Sequence, residues 1–300
     1  MTYDVAPSPT SDEDALAAQL DSRLVALAAH LRDLGSVVVA FSGGADSAFL
    51  LAAAVRALGP DRVVAATALS SSLPATELAQ ARTFCADLGV RHLTPETHEM
   101  DRDGYRANAG DRCYFCKAEL VDVLTPLARE LGIAAVATGT NADDAVAGFR
   151  PGIRAAAERG AATPLRDVGL SKAQIREQSR AWGLPTWDKP AAACLSSRIA
   201  FGIEVTPPRL ARVEQAELAL RDWLPRHGVT VTDLRVRDLG TTASIEVDGR
   251  ALAALGGDEE RRSAAQDLVR QCGFAEAVLD PRGFRSGSMN ERLPDPARYR

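Results

Sequence analysis

Val37-Val38-Val39-Ala40-Phe41 runs straight into Ser42-Gly43-Gly44-Ala45-Asp46-Ser47, and a stretch of helical composition, Ala48–Leu58, follows. The first segment is short, β-branched and apolar throughout, with no polar alternation. Such a strand is buried on both faces, as in a parallel sheet. Parallel neighbours need crossover connections, normally helices, so this one segment already commits the chain to an α/β architecture.

The surrounding sequence repeats the pattern. Leu16, Leu20, Leu24, Leu27, Leu31 and Leu34 recur at spacings of three and four, which predicts a helix that Gly35 terminates. Strands are predicted over Arg62–Leu69, Val90–Leu93 and Ile133–Thr138, with helices over Ala75–Leu88, Ala118–Leu131 and Lys172–Ala181. Strands alternating with helices predict a doubly wound parallel sheet. Composition changes at Thr206-Pro207-Pro208. Beyond it the pattern predicts a helix (Arg209–Trp223), strands (Val229–Arg237, Ala243–Val247), a helix (Glu260–Cys272) and a last strand (Ala275–Leu279). That order implies a small C-terminal α+β domain. The expected organisation is a tail over 1–11, the sheet domain over 12–205, the second domain over 206–291 and a tail over 292–300.

Length and charge agree: 300 residues suit about two domains. The formal charge of −5 gives no global attraction for nucleic acid. No apolar run reaches a membrane span and no signal-peptide pattern opens the chain, so a cytoplasmic protein is expected.

The hexapeptide after the first strand has the chemistry of an anion site. Gly43 and Gly44 let the backbone approach a phosphate, and the following helix presents free N–H groups and its positive dipole end. Ser42 and Ser47 add hydroxyl donors, and Asp46 can hold Mg²⁺. The G-x-x-x-x-G-K-[ST] and G-x-G-x-x-G patterns are both absent.

Five cysteines in a reducing compartment do not form a disulfide framework. Cys85 and Cys272 lie in or beside helices and read as structural thiols. Cys113 and Cys116 form a C-x-x-C pair, and Cys194 is a third candidate. These residues alone leave an iron–sulfur cluster, zinc and unliganded thiols equally open.

The hexapeptide resembles the phosphate loop of PP-loop ATP pyrophosphatases, which cut ATP between its α and β phosphates. Further blocks are more specific: Arg112-Cys-Tyr-Phe-Cys-Lys117, Gly139-Thr-Asn-Ala-Asp-Asp144, Arg150-Pro-Gly152 and Trp187-Asp-Lys-Pro190. Ala193-Cys-Leu-Ser-Ser-Arg198, Arg235-Val-Arg237 and the run Asp280–Glu291 continue them in order. Together they resemble the LarE family, ATP-dependent sulfur transferases of nickel-pincer nucleotide biosynthesis.

That resemblance implies ATP, Mg²⁺ and a small-molecule nucleotide substrate, pyridinium-3,5-biscarboxylic acid mononucleotide. Its carboxylates would be adenylated and converted to thiocarboxylates. Family members with one cysteine give up that cysteine's own sulfur. The presence of Cys113, Cys116 and Cys194 instead implies a [4Fe–4S] cluster carrying the sulfide. The implied catalytic groups are Cys194, Asp46 and Arg198. Nucleotide binding would involve Ser42, Gly43, Gly44, Asp46, Ser47, Asn141 and Asp144, with Lys189 in a matching block. Arg235 and Arg237, alternate residues on one strand face, would bind the substrate phosphate, although a solvated strand edge also fits them. Glu217, on the helix before that strand, is a candidate metal or substrate-orienting carboxylate and Glu246 a weaker one, although surface charges fit both equally.

A homo-oligomer with no nucleic-acid or membrane partner is implied. Ala45 and Ala109-Gly110-Asp111 depart from the family's usual valine and Asn-Pro stretch. A PP-loop tRNA thiolase and a non-catalytic nucleotide or iron–sulfur sensor are the alternative readings.

Overall fold

The computed structural model describes residues 12–146, 150–190, 194–285 and 287–293. The expected tail over 1–11 and most of that over 292–300 lie outside the described residues, as do Ala191–Ala193 and Ser286.

In chain order, helix α1 (Asp12–Leu34) leads to β1 (Val37–Ala40), α2 (Ala45–Leu58), β2 (Val63–Ala66), α3 (Ala75–Asp87) and β3 (Arg91–Leu93). Next come α4 (Asp103–Arg106), α5 (Arg112–Glu130), β4 (Ala135–Thr138), α6 (Ala142–Val146), α7 (Pro151–Glu158), α8 (Pro164–Asp167) and α9 (Lys172–Ala181). The four strands form a parallel sheet in the order β3-β2-β1-β4. Their side chains divide by strict alternation. Val37, Val39, Val63, Ala65 and Ala137 face the core shared with α1, α2, α3 and α9. Val38, Ala40, Val64, Ala66 and Val136 face Leu124 and Ala128 of α5. Helices therefore cover both faces, and the sheet is doubly wound. The connections from β1 and β3 leave on opposite sides, so a crevice opens at the carboxyl ends of β1 and β4, where such sheets bind ligands.

The second region contains α10 (Pro207–Arg226), β5 (Leu234–Asp238), β6 (Thr242–Val247), α11 (Gly249–Gly256), α12 (Glu259–Gln271) and β7 (Glu276–Leu279). Strand β6 is central, antiparallel to β5 and parallel to β7. The sequence pattern misses α11, a two-turn helix with glycine at each end. Its start is set by the Asp248 carboxylate, which accepts from the Arg250 and Ala251 N–H groups at 3.1 Å each.

This second core is not confined to the residues beyond 206. Tyr105, Leu195, Ile199 and Val205 are buried in it with Leu210, Val213, Leu234 and Val236. The α5 helix also begins at Arg112, six residues earlier than its apolar periodicity predicts, because its first turn carries polar and cysteine side chains. Both the C-x-x-C pair and Cys194 consequently lie where the two cores meet.

Asp238 shows how that seam is held. Its carboxylate is fully buried and receives Arg209 Nη1 at 2.9 Å and Arg212 Nη2 at 2.6 Å. Its carbonyl accepts from the Ala200 N–H at 2.9 Å, tying the segment after Cys194 to β5. Removal of one member of a buried ion network leaves desolvated charge behind. Asp238→Ala is expected to lower unfolding free energy by about 3 kcal/mol, read by urea denaturation; a loss below about 1 kcal/mol would contradict this account.

Candidate active site

The crevice at the strand ends is a cleft of about 370 Å³. One end is formed by Ser42, Gly44, Asp46, Ser47, Thr138, Gly139, Thr140 and Asp144. The other is formed by Ser72, Glu99, Cys116, Lys117 and Cys194.

The phosphate-loop end follows from β1 stopping at Ala40 and α2 starting at Ala45. Gly43 turns the chain with a φ of +72°, which favours glycine. Ser42 Oγ and Ser47 Oγ lie 3.1 Å apart, Ser47 Oγ donates to the Gly44 carbonyl at 3.1 Å, and the Gly44 N–H reaches Ser42 Oγ at 3.4 Å. The hydroxyls thus stand at the N-terminus of α2, where backbone N–H groups have no partners within the helix.

Gly139 makes this arrangement possible. A Cβ at that position would sit 2.8 Å from Ser47 N and 2.9 Å from Ser47 Cα. The end of β4 can therefore touch the first turn of α2 only through a glycine.

Asp46 occupies that first turn. Its Oδ1 is buried without a hydrogen-bond partner among the described residues, and its Oδ2 is 3.6 Å from Lys172 Nζ. Burial pushes the carboxyl above the ordinary aspartate range; Lys172 counteracts the shift and nearby Asp144 adds to it. An orphaned hard oxygen beside a second carboxylate fits a divalent cation such as Mg²⁺. Asn141 and Asp144 cap each other reciprocally: the Asn141 N–H meets Asp144 Oδ2 at 3.2 Å, and the Asp144 N–H meets Asn141 Oδ1 at 3.1 Å. Lys189 Nζ holds the Gly43 carbonyl at 3.1 Å and Glu77 Oε2 at 2.7 Å, bracing the loop.

At the opposite end, Cys194 opens a single 3₁₀ turn, Leu195–Arg198. The Cys194 carbonyl accepts from Ser197 Oγ at 2.8 Å and Arg198 Nη1 at 3.0 Å. The Leu195 N–H donates to the Ser72 carbonyl at 2.9 Å, and Ser72 Oγ donates to the buried Glu99 at 3.1 Å. Arg112, also buried, donates to the Ser196 carbonyl at 2.8 Å and to Asn108. Burial opposes its charge, and the neighbouring Cys113 and Cys194 thiols favour it. Cys116 is pushed well above the usual thiol range by burial, then by Cys194, Glu99 and Cys113. The three thiols thus influence one another, and none is in a disulfide. Among the described residues, however, no three His, Cys, Asp or Glu side chains converge as a metal-holding group. Three soft thiols suit a cluster in chemical type, and Cys116 and Cys194 border the cleft. Cys85 is buried, its thiol pushed up to about 12 by desolvation, and Cys272 is half-buried.

The expected residues do not all meet in the cleft. Arg198 and Glu217 meet each other, Nε to Oε1 at 2.9 Å and Nη2 to Oε2 at 3.2 Å, and both are buried. Glu217 Oε1 also accepts the Val236 N–H at 3.1 Å, so this pair fastens the Cys194 turn to the second core. Neither residue is among those that line the cleft. Arg237 pairs with Glu246, Nη2 to Oε2 at 2.9 Å, and reaches the Ser197 carbonyl and Ser288 Oγ. Arg235 lies on the same strand face against the Phe284 ring, and its guanidinium falls to about 10 through burial and repulsion from Arg198, Arg221 and Arg237, with Glu217 opposing. Sequence reasoning does not reach Lys172, Glu77, Ser72 or Glu99; each arrives from a helix end or turn with no motif of its own.

A parallel sheet whose first strand passes through S-G-G-x-D-S into a helix at the topological switch defines a PP-loop, ATP-using enzyme. Consistent with that class, the NAD synthase family model matches residues 23–111. An uncharacterized protein of Synechocystis, slr1717, is 40% identical over 91% of this chain and 99% of its own length. The pyridinium-3,5-bisthiocarboxylic acid mononucleotide synthase of Lactiplantibacillus plantarum is 32% identical over 92% of this chain and 96% of its own. The argininosuccinate synthase of Halobacterium salinarum is 29% identical over 46% of this chain and 37% of its own. The chain belongs to the LarE family, that of the bisthiocarboxylic acid mononucleotide synthase. No helix among the described residues is long and apolar enough to cross a membrane.

Gly139→Ala is expected to weaken ATP binding by at least ~10-fold, or about 1.4 kcal/mol, by displacing the first turn of α2; unchanged calorimetric affinity would refute that. Asp46 yields a second expectation. In metal-free protein, a carboxyl with a raised folded-state pKa contributes stability below the ordinary aspartate range and loses it as pH rises through the raised value. Asp46→Asn should therefore raise the melting temperature of metal-free protein at neutral pH while removing Mg²⁺-dependent pyrophosphate release. A lower melting temperature would show that the carboxylate is not strained there.

Proposed function

We propose that this chain is an ATP-dependent sulfur transferase that adenylates the carboxylates of pyridinium-3,5-biscarboxylic acid mononucleotide and converts them to thiocarboxylates for a nickel-pincer nucleotide cofactor. One observation carries the reading: a single cleft is lined at one end by a PP-loop and at the other by Cys116 and Cys194. Activation and sulfur delivery can then act on the same carboxyl carbon. The name of the Lactiplantibacillus relative supports the substrate.

A carboxylate is a poor electrophile, because its charge repels nucleophiles and oxide is a poor leaving group. Adenylation addresses both. The carboxylate oxygen bonds to the α-phosphorus, the α-phosphorus–oxygen bond to the β-phosphate breaks, and pyrophosphate leaves with the electron pair. The N-terminus of α2, with Ser42 and Ser47, receives the phosphates, and Asp46 with Asp144 beside it would hold Mg²⁺. A sulfur nucleophile then bonds to the acyl carbon, and AMP leaves with the carbon–oxygen electron pair.

Cys113, Cys116 and Cys194 would hold a [4Fe–4S] cluster, which when bound would supply sulfide from an open iron. Arg198 and Glu217 act in this reading by holding the Cys194 turn in place. Arg235, crowded by other guanidinium groups, gains from an anion and with Arg237 would receive the substrate phosphate. Residues 12–205 thus supply the ATP end and residues 206–291 the substrate-phosphate end of a soluble homo-oligomeric enzyme.

Anaerobically reconstituted protein incubated with Mg·ATP, sulfide and the biscarboxylate nucleotide should release AMP and pyrophosphate and yield thiocarboxylate by mass spectrometry. Protein mass should be unchanged over repeated turnovers, and Cys113→Ala, Cys116→Ala or Cys194→Ala should abolish iron–sulfur absorption. Loss of about 34 Da from the protein would show that a cysteine gives up its own sulfur. Thiolated tRNA in place of the nucleotide product would replace the substrate assignment.

A further inference from the structure

Of the 35 lysines and arginines in this chain, only three are lysines: Lys117, Lys172 and Lys189. Where a positive charge alone suffices, as in the surface pairs Arg226–Asp222 and Arg261–Asp258, the chain uses arginine. The three exceptions are far apart in sequence, yet the fold brings Lys117 into the lining of the nucleotide cleft and sets Lys172 and Lys189 against residues of the phosphate loop that borders it.

Lys172 begins α9, its backbone N–H fixed by Asp143 Oδ2 at 2.8 Å, and its ammonium is 3.6 Å from Asp46 in the first turn of α2. Lys189 is on the other side of the loop, within 3.1 Å of the Gly43 carbonyl and paired with Glu77 and Gln80. Lys117 enters from α5, which covers the opposite face of the sheet. It lines the cleft together with Asp46, Cys116 and Cys194, and among the described residues its ammonium forms no ion pair or hydrogen bond.

Lysine and arginine differ in what they can grip. An ammonium is a compact point charge with three donors on a flexible stem, able to touch oxygens of adjacent phosphates. A guanidinium is a planar fork suited to one carboxylate or phosphate face. An arginine-rich chain that keeps lysine only around one cleft points to a ligand with several neighbouring phosphate oxygens.

We propose that the three lysines form the cation set of this cleft: Lys172 and Lys189 hold the pyrophosphate half of ATP, and Lys117 holds the α-phosphate that remains on the acyl adenylate. The assignment rests on the sulfur-transferase reading and divides its two steps. When the bond from the α-phosphorus to the leaving oxygen breaks, charge accumulates on pyrophosphate between Lys172 and Lys189. When the acyl carbon–oxygen bond breaks, charge returns to AMP against Lys117, on the helix that bears the C-x-x-C pair.

Lys→Arg at each position keeps the charge and changes the grip, and Lys→Gln alongside removes the charge. Binding of Mg·pyrophosphate alone is followed by calorimetry, and pyrophosphate and thiocarboxylate are followed in single turnovers of the reconstituted enzyme. Lys172→Arg and Lys189→Arg should weaken pyrophosphate binding by at least ~10-fold. Lys117→Arg should leave it within about 2-fold while slowing thiocarboxylate formation relative to pyrophosphate release by at least ~10-fold. Unchanged pyrophosphate affinity in both Lys172 variants or both Lys189 variants would overturn the assignment. So would a wild-type ratio of thiocarboxylate to pyrophosphate in both Lys117 variants. Failure of the transferase reading would look different: wild-type protein would release no pyrophosphate with the biscarboxylate nucleotide, while pyrophosphate binding still discriminated Lys172 and Lys189.

Discussion

The buried pair between Arg198 and Glu217 is the joint on which the site hangs. Arg198 grips the carbonyl of Cys194 while its other nitrogens engage Glu217, and Glu217 accepts the N–H of Val236 in β5. One ion pair therefore connects a cysteine turn, a long helix and a strand that share no local sequence. A buried pair of this kind contributes little net stability compared with apolar packing, because both groups lose their hydration. Its value lies in geometry. The guanidinium has several fixed donor directions, so the turn adopts one orientation relative to the second core.

At the other end of the cleft the constraint is steric rather than ionic. Gly139 lets β4 press against the backbone of Ser47, and Lys189 braces the Gly43 carbonyl. The phosphate loop is thereby held between its own strand, its neighbour strand and a lysine from a distant turn. The hydroxyls of Ser42 and Ser47 bond to each other and to the loop backbone. Phosphate oxygens would replace bonds already directed toward the same point, which lowers the cost of ordering the site.

Much of this was legible in the chain itself. Val37–Phe41 and the S-G-G-x-D-S turn carry the parallel sheet and its ligand edge, because burial on both faces and glycine freedom are local properties. Helix α9 is also marked locally, by the Ser171–Gln174 capping box. The first turn of α5 is not: Arg112 and the cysteines break the apolar period, and what makes that turn helical is tertiary contact with Asn108 and Ser196. Arg198 and Glu217 fall into the same group. Arg198 stands out by its place in a family block and Glu217 by its helix, while the partners that bury them are distant in sequence. The order in which Arg235 and Arg237 alternate was readable from period two; that Glu246 occupies Arg237 was not.

The meeting of the two cores at the cysteines has a thermodynamic consequence. Tyr105, Leu195 and Ile199 belong to the second core, whereas the phosphate loop belongs to the first. Cooperative opening of packed units occurs in blocks of different free energy. Fraying of the second block would withdraw Cys194 from the cleft while the loop stayed folded. On the proposed reading the chain would then still bind nucleotide but lack its sulfur step, so opening of the second core would uncouple the two half-reactions.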